Sequence, residues 1–251
     1  MAKKTSKGKE KKLLRKEENA KAIEERSFID DALRRANKVD DLLKDYPAFH
    51  TYKRNGLDLE LQFHKAEALP ENVLDWAFML CKSNMETFYN ASWGWHDDTK
   101  RSELGCAEAR FIIAYTKAET GKREPVAFVH MRWEKDDTEG WPVLYCYDIQ
   151  LEPSVQRKGL GRHLMKFLQL VAVKTDMHEV MLTVQLENGD ALRMYRHLGY
   201  EDHWDQPEAP EGEPSAAYVI LTKKLPASVA QQQRALKPVT NSYQLENIIY
   251  G

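Results

Sequence analysis

The sequence has few cysteines and no pattern of metal ligands. Its three cysteines, Cys81, Cys106 and Cys146, are widely spaced among 251 residues and form no Cys-x-x-Cys pair. An odd number of isolated cysteines is typical of reduced thiols and argues against a structural zinc site. Eight scattered histidines add no ligand spacing. We therefore predict a protein without a bound metal and without disulfide bonds.

The sequence also lacks membrane and secretion signals. No apolar run approaches the roughly 20 residues that span a bilayer. The basic first residues have no apolar segment typical of a secretory signal, and the Met-Ala start is not the Met-Gly start of a myristoylated protein. The composition, 42% hydrophobic and 30% charged, is that of a globular protein. We therefore expect no interaction with membranes.

Charge is distributed unevenly along the chain. Residues 1–16 contain eight Lys or Arg residues and one Glu, whereas the whole chain has a net charge of −2. We predict a basic disordered tail over residues 1–12, which either only improves solubility or acts as a nuclear-import signal or nucleic-acid contact. We expect no other nucleic-acid site. The acidic remainder of the chain favours a basic partner.

Hydrophobic periodicity predicts an α/β domain. Residues 13–47 have a helical stripe that ends at Pro47, and we expect this N-terminal extension to pack across the core as a brace. The domain itself covers residues 48–224, and residues 225–251 form a polar C-terminal tail. Strands over residues 110–117, 125–134 and 143–151 form an antiparallel meander. A crossover helix over residues 159–175 then makes the strand at 180–184 parallel to the preceding one. The predicted sheet is mixed, mostly antiparallel and flanked by helices.

The most informative stretch runs from residue 145 to residue 162. A strand leads into the loop Gln156-Arg-Lys-Gly-Leu-Gly161, and a helix follows. Free N–H groups and the positive end of the helix dipole make such a helix start an anion site. Arg157, Lys158 and Arg162 add positive charge. We therefore predict that the loop binds a pyrophosphate.

Two motifs resemble the GCN5-related N-acetyltransferase superfamily. Residues 156–161 resemble its pyrophosphate loop, and Asn188…Ala191…Tyr195…Leu198-Gly-Tyr200 resembles its next motif. The resemblance implies the fold of that superfamily and acetyl-coenzyme A as cosubstrate. It implies that the coenzyme contacts Ile149, Gln150, Leu151, Arg157, Lys158, Gly159, Leu160, Gly161, Arg162 and Asn188.

A closer resemblance extends from the N-terminus to about residue 224. The segments that resemble the N-terminal acetyltransferase D family include Arg54-Asn-Gly-Leu57, Asp75-Trp-Ala-Phe78, Trp93-Gly-Trp95, Val143-Leu-Tyr-Cys-Tyr147, Gln150-Leu-Glu152 and Val180-Met-Leu-Thr-Val184. This resemblance implies acetylation of the α-amine of histones four and two-A, whose tails begin Ser-Gly-Arg-Gly. We expect a monomer that binds histone N-terminal tails and is present in the nucleus and the cytoplasm.

The same resemblance implies site residues. The peptide would contact Tyr89, Trp93, Glu134, Asp136, Tyr145, Tyr147, Thr183 and Tyr218. The predicted catalytic residues are Asp148, Tyr147 and Tyr195. Asp148 stands where the family has a general-base glutamate, and its shorter side chain favours relay through a water over direct contact. Tyr195 either protonates the leaving thiolate or is a core tyrosine of an amphipathic helix.

The chemistry of the residues suits an α-amine. Its pKa of ~7.7–8.0 lies below the ~10.4 of lysine, so deprotonation is easier by roughly 3–4 kcal/mol and a modest base suffices. Cys146 is the rival candidate, as an acyl-enzyme nucleophile, but no histidine accompanies it in the motif, which favours direct attack.

Acidic residues recur in two loops, at 134–139 and 205–213. They form either solvated turns or one rim for a basic peptide. Two alternative functions stay open. One is an acetyltransferase for lysine or polyamines, and the other is a weakly catalytic module that binds histone tails.

Overall fold

The computed structural model describes residues 3–117, 123–209 and 216–226, which form five α-helices and one eight-stranded sheet. The helices are α1 (Lys3–Asn37), α2 (Glu71–Asn90), α3 (Asp97–Gly105), α4 (Leu160–Lys174) and α5 (Gly189–His197). The strands are β1 (Thr51–Arg54), β2 (Leu57–Lys65), β3 (Arg110–Thr116), β4 (Pro125–Lys135), β5 (Pro142–Leu151), β6 (Glu179–Gln185), β7 (Glu201–Asp202) and β8 (Tyr218–Lys224). None of the described helices combines the length and the apolarity that crossing a bilayer requires.

The sheet is mixed, in the order β1-β2-β3-β4-β5-β6-β8-β7. Neighbouring strands are antiparallel except β5 and β6, which are parallel because α4 connects them as a crossover. The predicted α/β fold class, a mixed and mostly antiparallel sheet flanked by helices, is confirmed.

Helices cover both faces of the central strands. In β3, Phe111 and Ile113 belong to the core cluster that contains α2 and α3, whereas Ile112 and Ala114 belong to the cluster that contains α1 and α4. Because both faces are covered, all but the last residue of β3 is buried, and the strand reads as a nearly continuous apolar run.

The N-terminal segment differs from its predicted structure in two ways. The predicted disordered tail over residues 1–12 is wrong from residue 3 onward, because these residues begin α1. The segment is rich in Lys and Glu, which favour helices, and no proline precedes Pro47. The helix also ends earlier than predicted, at Asn37, and Pro47 begins a short 3-10 turn. The predicted brace is confirmed, since Ile29, Ala32 and Ala36 are buried against the domain.

Strand β1 was not predicted. It pairs with β2 through a tight turn at Asn55 and Gly56, whose φ angles of 52° and 76° are both positive. An Asn-Gly pair between two extended segments is a strong hairpin signal, so the sequence did contain this information. Most of the predicted C-terminal tail, from residue 227, lies outside the described residues, as do residues 210–215, which include the end of the second acidic loop.

Candidate active site

Strands β5 and β6 are paired over only the first half of β5 and then separate. Val143–Cys146 pairs with Glu179–Leu182, but residues 148–151 pair only with β4 among the described strands. The edge of β5 that faces β6 is therefore free beyond residue 146. A cavity of about 1360 Å³ lies at this gap. It exceeds the roughly 300–1000 Å³ of ordinary ligand pockets, so it has room for two ligands.

A β-bulge in β5 arranges the side chains at the gap. His130 pairs with Asp148 and Met131 pairs with Cys146, which leaves Tyr147 as the extra residue. One inserted residue reverses the side-chain alternation. Cys146 therefore faces the core with α1 and α4, whereas Asp148 contacts Cys81 of α2 on the opposite face.

The glycine loop lies at one end of the cavity. Gly159 is the N-cap of α4 and has a φ of 84°, a conformation that favours glycine. The hydroxyl of Tyr52 donates to the Lys158 carbonyl at 2.6 Å, and Asn55 Nδ2 donates to it at 2.9 Å. The β1–β2 hairpin thus holds the loop from behind. Because Gly159 and Gly161 line the cavity, the positive end of α4 lies beside it.

The predicted coenzyme residues lie mostly on the cavity wall. Those that line it are Ile149, Gln150, Leu151, Arg157, Gly159, Gly161, Arg162 and Asn188. Lys158 and Leu160 do not. Lys158 Nζ donates to the Ser154 carbonyl at 2.9 Å, and Leu160 is fully buried in the core. The side chain of Asn188 also caps α5 by accepting from the Ala191 N–H at 3.2 Å.

Aromatic side chains form the other end of the cavity. The Trp93 ring lies 5.1 Å from the Tyr89 ring and 4.7 Å from the Tyr218 ring. The rings of Tyr145 and Tyr147 lie 5.0 Å apart. The lining residues here are those predicted to contact a peptide: Tyr89, Trp93, Glu134, Tyr145, Tyr147, Thr183 and Tyr218. Rigid aromatic walls of this kind suit a peptide chain that enters end-on.

A smaller acidic cavity of about 250 Å³ adjoins the first, and Glu134 lines both. Its lining includes Asp136, Asp137 and Asp205, so it contains acids from both predicted acidic loops. The loops are linked, since Thr138 Oγ1 donates to Asp205 at 2.8 Å. Burial raises the pKa of Glu134, while the hydrogen bond from Tyr147 opposes the rise. The Asp136 carboxylate also closes the β4–β5 turn by accepting from the backbone N–H of residue 139 at 2.7 Å.

Asp148 lies in a buried cluster whose other members the sequence did not identify. Its carboxylate accepts from Cys81 Sγ at 3.2 Å and lies 3.5 Å from Lys100 Nζ and 3.4 Å from His130 Nδ1. Lys100 Nζ also donates to Glu103 Oε1 at 2.5 Å. Burial opposes ionisation of Asp148, but Lys100 and His130 outweigh it and hold the pKa of this carboxyl well below its usual range.

The cluster also resembles a metal site in its spacing. Ligand atoms of Glu103, His130 and Asp148 lie within 4.8 Å of one another. However, the Lys100 ammonium lies within 3.5 Å of both carboxylates and already supplies a positive charge. Repulsion between two cations therefore opposes a metal ion at this place.

The two remaining candidates, Tyr195 and Cys146, differ in their access to the cavity. Tyr195 is buried, yet it lines the cavity, and burial raises its pKa well above the ordinary value. It therefore has a core position and also borders the cavity. Cys146 is buried in the core and does not line the cavity, and burial raises the pKa of its thiol. A buried neutral thiol is a poor nucleophile.

The strand–loop–helix unit and the following helix α5 lie in a segment that resembles known proteins. Residues 77–200 match the model of the Acetyltransferase (GNAT) family. Over this segment, which is just under half of the chain, the protein is similar to that family. The match contains the separated strands, the glycine loop and nearly all of the cavity wall formed by α2, β5, α4 and α5. The family agrees with the predicted acetyltransferase class and with acetyl-coenzyme A as the predicted cosubstrate.

Individual relatives are N-acetyltransferases. A segment of 56 residues is 34% identical to part of N-alpha-acetyltransferase 30 from Xenopus laevis and covers 22% of this chain. The similarity spans only 20% of that relative. Two solved structures are similar at low identity. Arabidopsis thaliana Naa50, in complex with the bisubstrate analogue CoA-Ac-MVNAL, is 18% identical over 66% of this chain and 99% of its own, with a TM-score of 0.47. The Escherichia coli ribosomal-protein-S18-alanine N-acetyltransferase is 21% identical over 67% of this chain and 95% of its own, with a TM-score of 0.45.

Proposed function

We propose that this chain transfers acetyl from acetyl-coenzyme A to the N-terminal α-amine of a basic peptide, with histones four and two-A as substrates. The observation that supports this most is the continuity of one cavity. It runs from a glycine loop at a helix start, past the free edge of β5, to an aromatic end that adjoins an acidic cavity. A coenzyme can enter from one end and a peptide from the other.

The coenzyme end has the chemistry that a pyrophosphate needs. The start of α4 offers backbone N–H groups and a positive dipole end, and Arg157 and Arg162 add charge at the same wall. Next to it, the free edge of β5 offers backbone groups to the amide-containing arm of the coenzyme. A thioester at the end of that arm would lie near the bulge, between Tyr147 and Asp148.

The reaction balances with the residues at the bulge. The substrate ammonium first loses one proton, which the ionised Asp148 takes through a water and passes to solvent. The neutral amine nitrogen then bonds to the thioester carbon as the carbon–sulfur bond breaks. Tyr195 gives its phenol proton to the departing thiolate, and its raised pKa keeps it protonated until then. The acylated nitrogen loses its second proton, which restores the phenol of Tyr195. A backbone N–H at the free edge of β5 stabilises the oxyanion. The buried Cys146 has no role in this scheme.

The acidic cavity supports a basic peptide. Glu134 lines both cavities, and Asp137 does so as well. A guanidinium placed there would meet several carboxylates, which recognise arginine by charge-assisted hydrogen bonds. The Ser-Gly-Arg-Gly tail carries an arginine two residues after its α-amine. The histone substrates, the monomeric state and the nuclear and cytoplasmic location stay predictions.

The test is mass spectrometry of a Ser-Gly-Arg-Gly peptide with a downstream lysine, incubated with the protein and acetyl-coenzyme A. We expect one acetyl group on the α-amine, and no product from the same peptide with a blocked N-terminus. A second peptide with Ala in place of Arg should react more slowly. Acetyl found only on lysine would establish the lysine acetyltransferase instead. Tight peptide binding without any product would favour the binding module.

A further inference from the structure

We propose that Lys100 is a positioning residue for the acetyl transfer, and that its buried ammonium keeps the Asp148 carboxylate ionised for the proton transfer. This inference rests on the proposed function. Lys100, Glu103 and Asp148 would together carry one net negative charge beside the site of the amine. One substrate ammonium would then neutralise the cluster.

The Lys100 ammonium is buried beside the main cavity and contacts two carboxylates there. Its side chain is only 8% exposed, and its Nζ bridges Glu103 Oε1 at 2.5 Å and Asp148 Oδ2 at 3.5 Å. The same atom lies 5.4 Å from the centre of the Tyr89 ring, which is a cation–π contact. All four residues line the main cavity. An ammonium is rarely buried to this degree unless carboxylates compensate it.

The neighbouring arginine shows that the burial is specific. Arg101 packs its guanidinium on the Phe78 ring at 3.8 Å and pairs with Asp75 on the surface. Two consecutive cations of α3 therefore point to different places, and only Lys100 points into the cavity. Lys82 offers a further comparison, because it also has two carboxylate partners but lies outside the cavity.

Groups from several elements face Asp148. They are Lys100 and Glu103 of α3, Cys81 and Tyr89 of α2, and His130 of β4. Tyr195 of α5 and Cys146 of the same strand belong to the core cluster on the other face and are only within electrostatic reach of the Asp148 carboxylate. Burial lowers the pKa of His130, so this ring is neutral near pH 7. Arg132 lies further out, on the Tyr147 ring, and donates to the backbone carbonyl of Glu103. Lys100 is thus the permanent cation within 4 Å of the Asp148 carboxylate.

Removing this cation would change the protonation of Asp148. Burial alone opposes the charged form of a carboxyl, and the partner that outweighs burial here is first of all Lys100. Without the ammonium, the buried carboxyl would take up a proton near neutral pH. It could then no longer accept the proton of the substrate amine.

The kinetic test compares Lys100→Met, Lys100→Arg and the control Lys82→Met, with kcat for an α-amine peptide measured from acid to alkaline pH. We expect Lys100→Met to lose roughly tenfold or more near pH 7, one factor of ten for each pKa unit. Part of the loss should be regained at higher pH as Asp148 ionises. Lys100→Arg and Lys82→Met should keep the wild-type profile. A loss in Lys100→Met that is equal at every pH would overturn the proposal.

An infrared titration tests the same point without turnover. The protonated-carboxyl band of Asp148 is taken from the difference between each protein and its Asp148→Asn counterpart. We expect the band near pH 7 in Lys100→Met, and its absence from the wild type down to pH values below the ordinary ~3.9 of aspartate. If Lys100→Met does not fold, the wild-type titration alone still tests the proposal. Protonation of Asp148 at the ordinary pH of an aspartate would overturn it. The expected spectra without any α-amine acetylation would refute the proposed function and support the role of Lys100 in ionising Asp148.

Discussion

Replacing Gly159 with alanine tests the glycine loop, because the new methyl group meets two obstacles. A φ of 84° is a left-handed conformation that costs an L-residue about 1–2 kcal/mol. The new Cβ would also lie 2.9 Å from the Tyr52 hydroxyl, too close to stay there. Displacing that hydroxyl sacrifices its 2.6 Å hydrogen bond to the Lys158 carbonyl, a net loss of roughly 0.5–1.5 kcal/mol. The two costs together are about 1.5–3.5 kcal/mol.

This cost appears either in folding or in coenzyme binding. If the loop keeps its shape, the free energy of unfolding falls. If the loop yields, the affinity for coenzyme A falls instead, by roughly tenfold to several hundredfold at about 1.4 kcal/mol per tenfold. Urea unfolding and titration calorimetry with coenzyme A measure the two quantities on the same variant. We expect their combined loss to match the cost above, with most of it in binding.

Two control variants separate the causes. Tyr52→Phe removes the hydroxyl, so in the Gly159→Ala, Tyr52→Phe double variant only the strained φ remains and the two losses are less than additive. Gly140→Ala shares a positive φ, of 73°, but has no neighbour within 4 Å of the new Cβ. It should lower stability and leave coenzyme binding unchanged. If Gly159→Ala retained both wild-type stability and wild-type coenzyme affinity, the reasoning about the loop would be refuted.

Three further substitutions test the rest of the site. Glu134→Gln should lower kcat/KM about tenfold or more for an arginine-containing peptide, since hydrogen bonds to charged groups contribute roughly 1.5–3 kcal/mol, and should spare the alanine-substituted peptide. Burial raises the pKa of Glu134 above the ordinary ~4.3 of glutamate, so this side chain should lose its charge as the pH falls towards that raised value. The ratio of wild-type kcat/KM for the arginine peptide to that for the alanine peptide should fall over the same pH range. A constant ratio would contradict this. Asp148→Asn should lower turnover far more than coenzyme affinity, and unchanged turnover would remove Asp148 as proton acceptor. Asn188→Ala should cost about 1 kcal/mol in urea unfolding through loss of the α5 cap, and an equal stability would show that the cap does not contribute.

Much of the site was predictable because it is local in the chain. The glycine loop and the start of α4 each depend on residues a few positions apart, so the sequence predicted them correctly. The aromatic residues at the other end of the cavity came from a family resemblance, and the structure brings them to one cavity. The β1–β2 hairpin was missed although its Asn-Gly signal is local, and its contact with the loop joins residues about 100 positions apart.

The sequence by itself determined the mixed sheet, the crossover and the glycine loop at a helix start, because periodicity, glycine φ angles and helix starts act over short distances. Only the tertiary structure decided the surroundings of Asp148. The bulge at Tyr147 depends on the register between β4 and β5, and it turns Asp148 towards α2. The burial of Lys100 depends on how α3 lies against α2 and the sheet. Such arrangements follow from packing between distant segments, which no local pattern encodes.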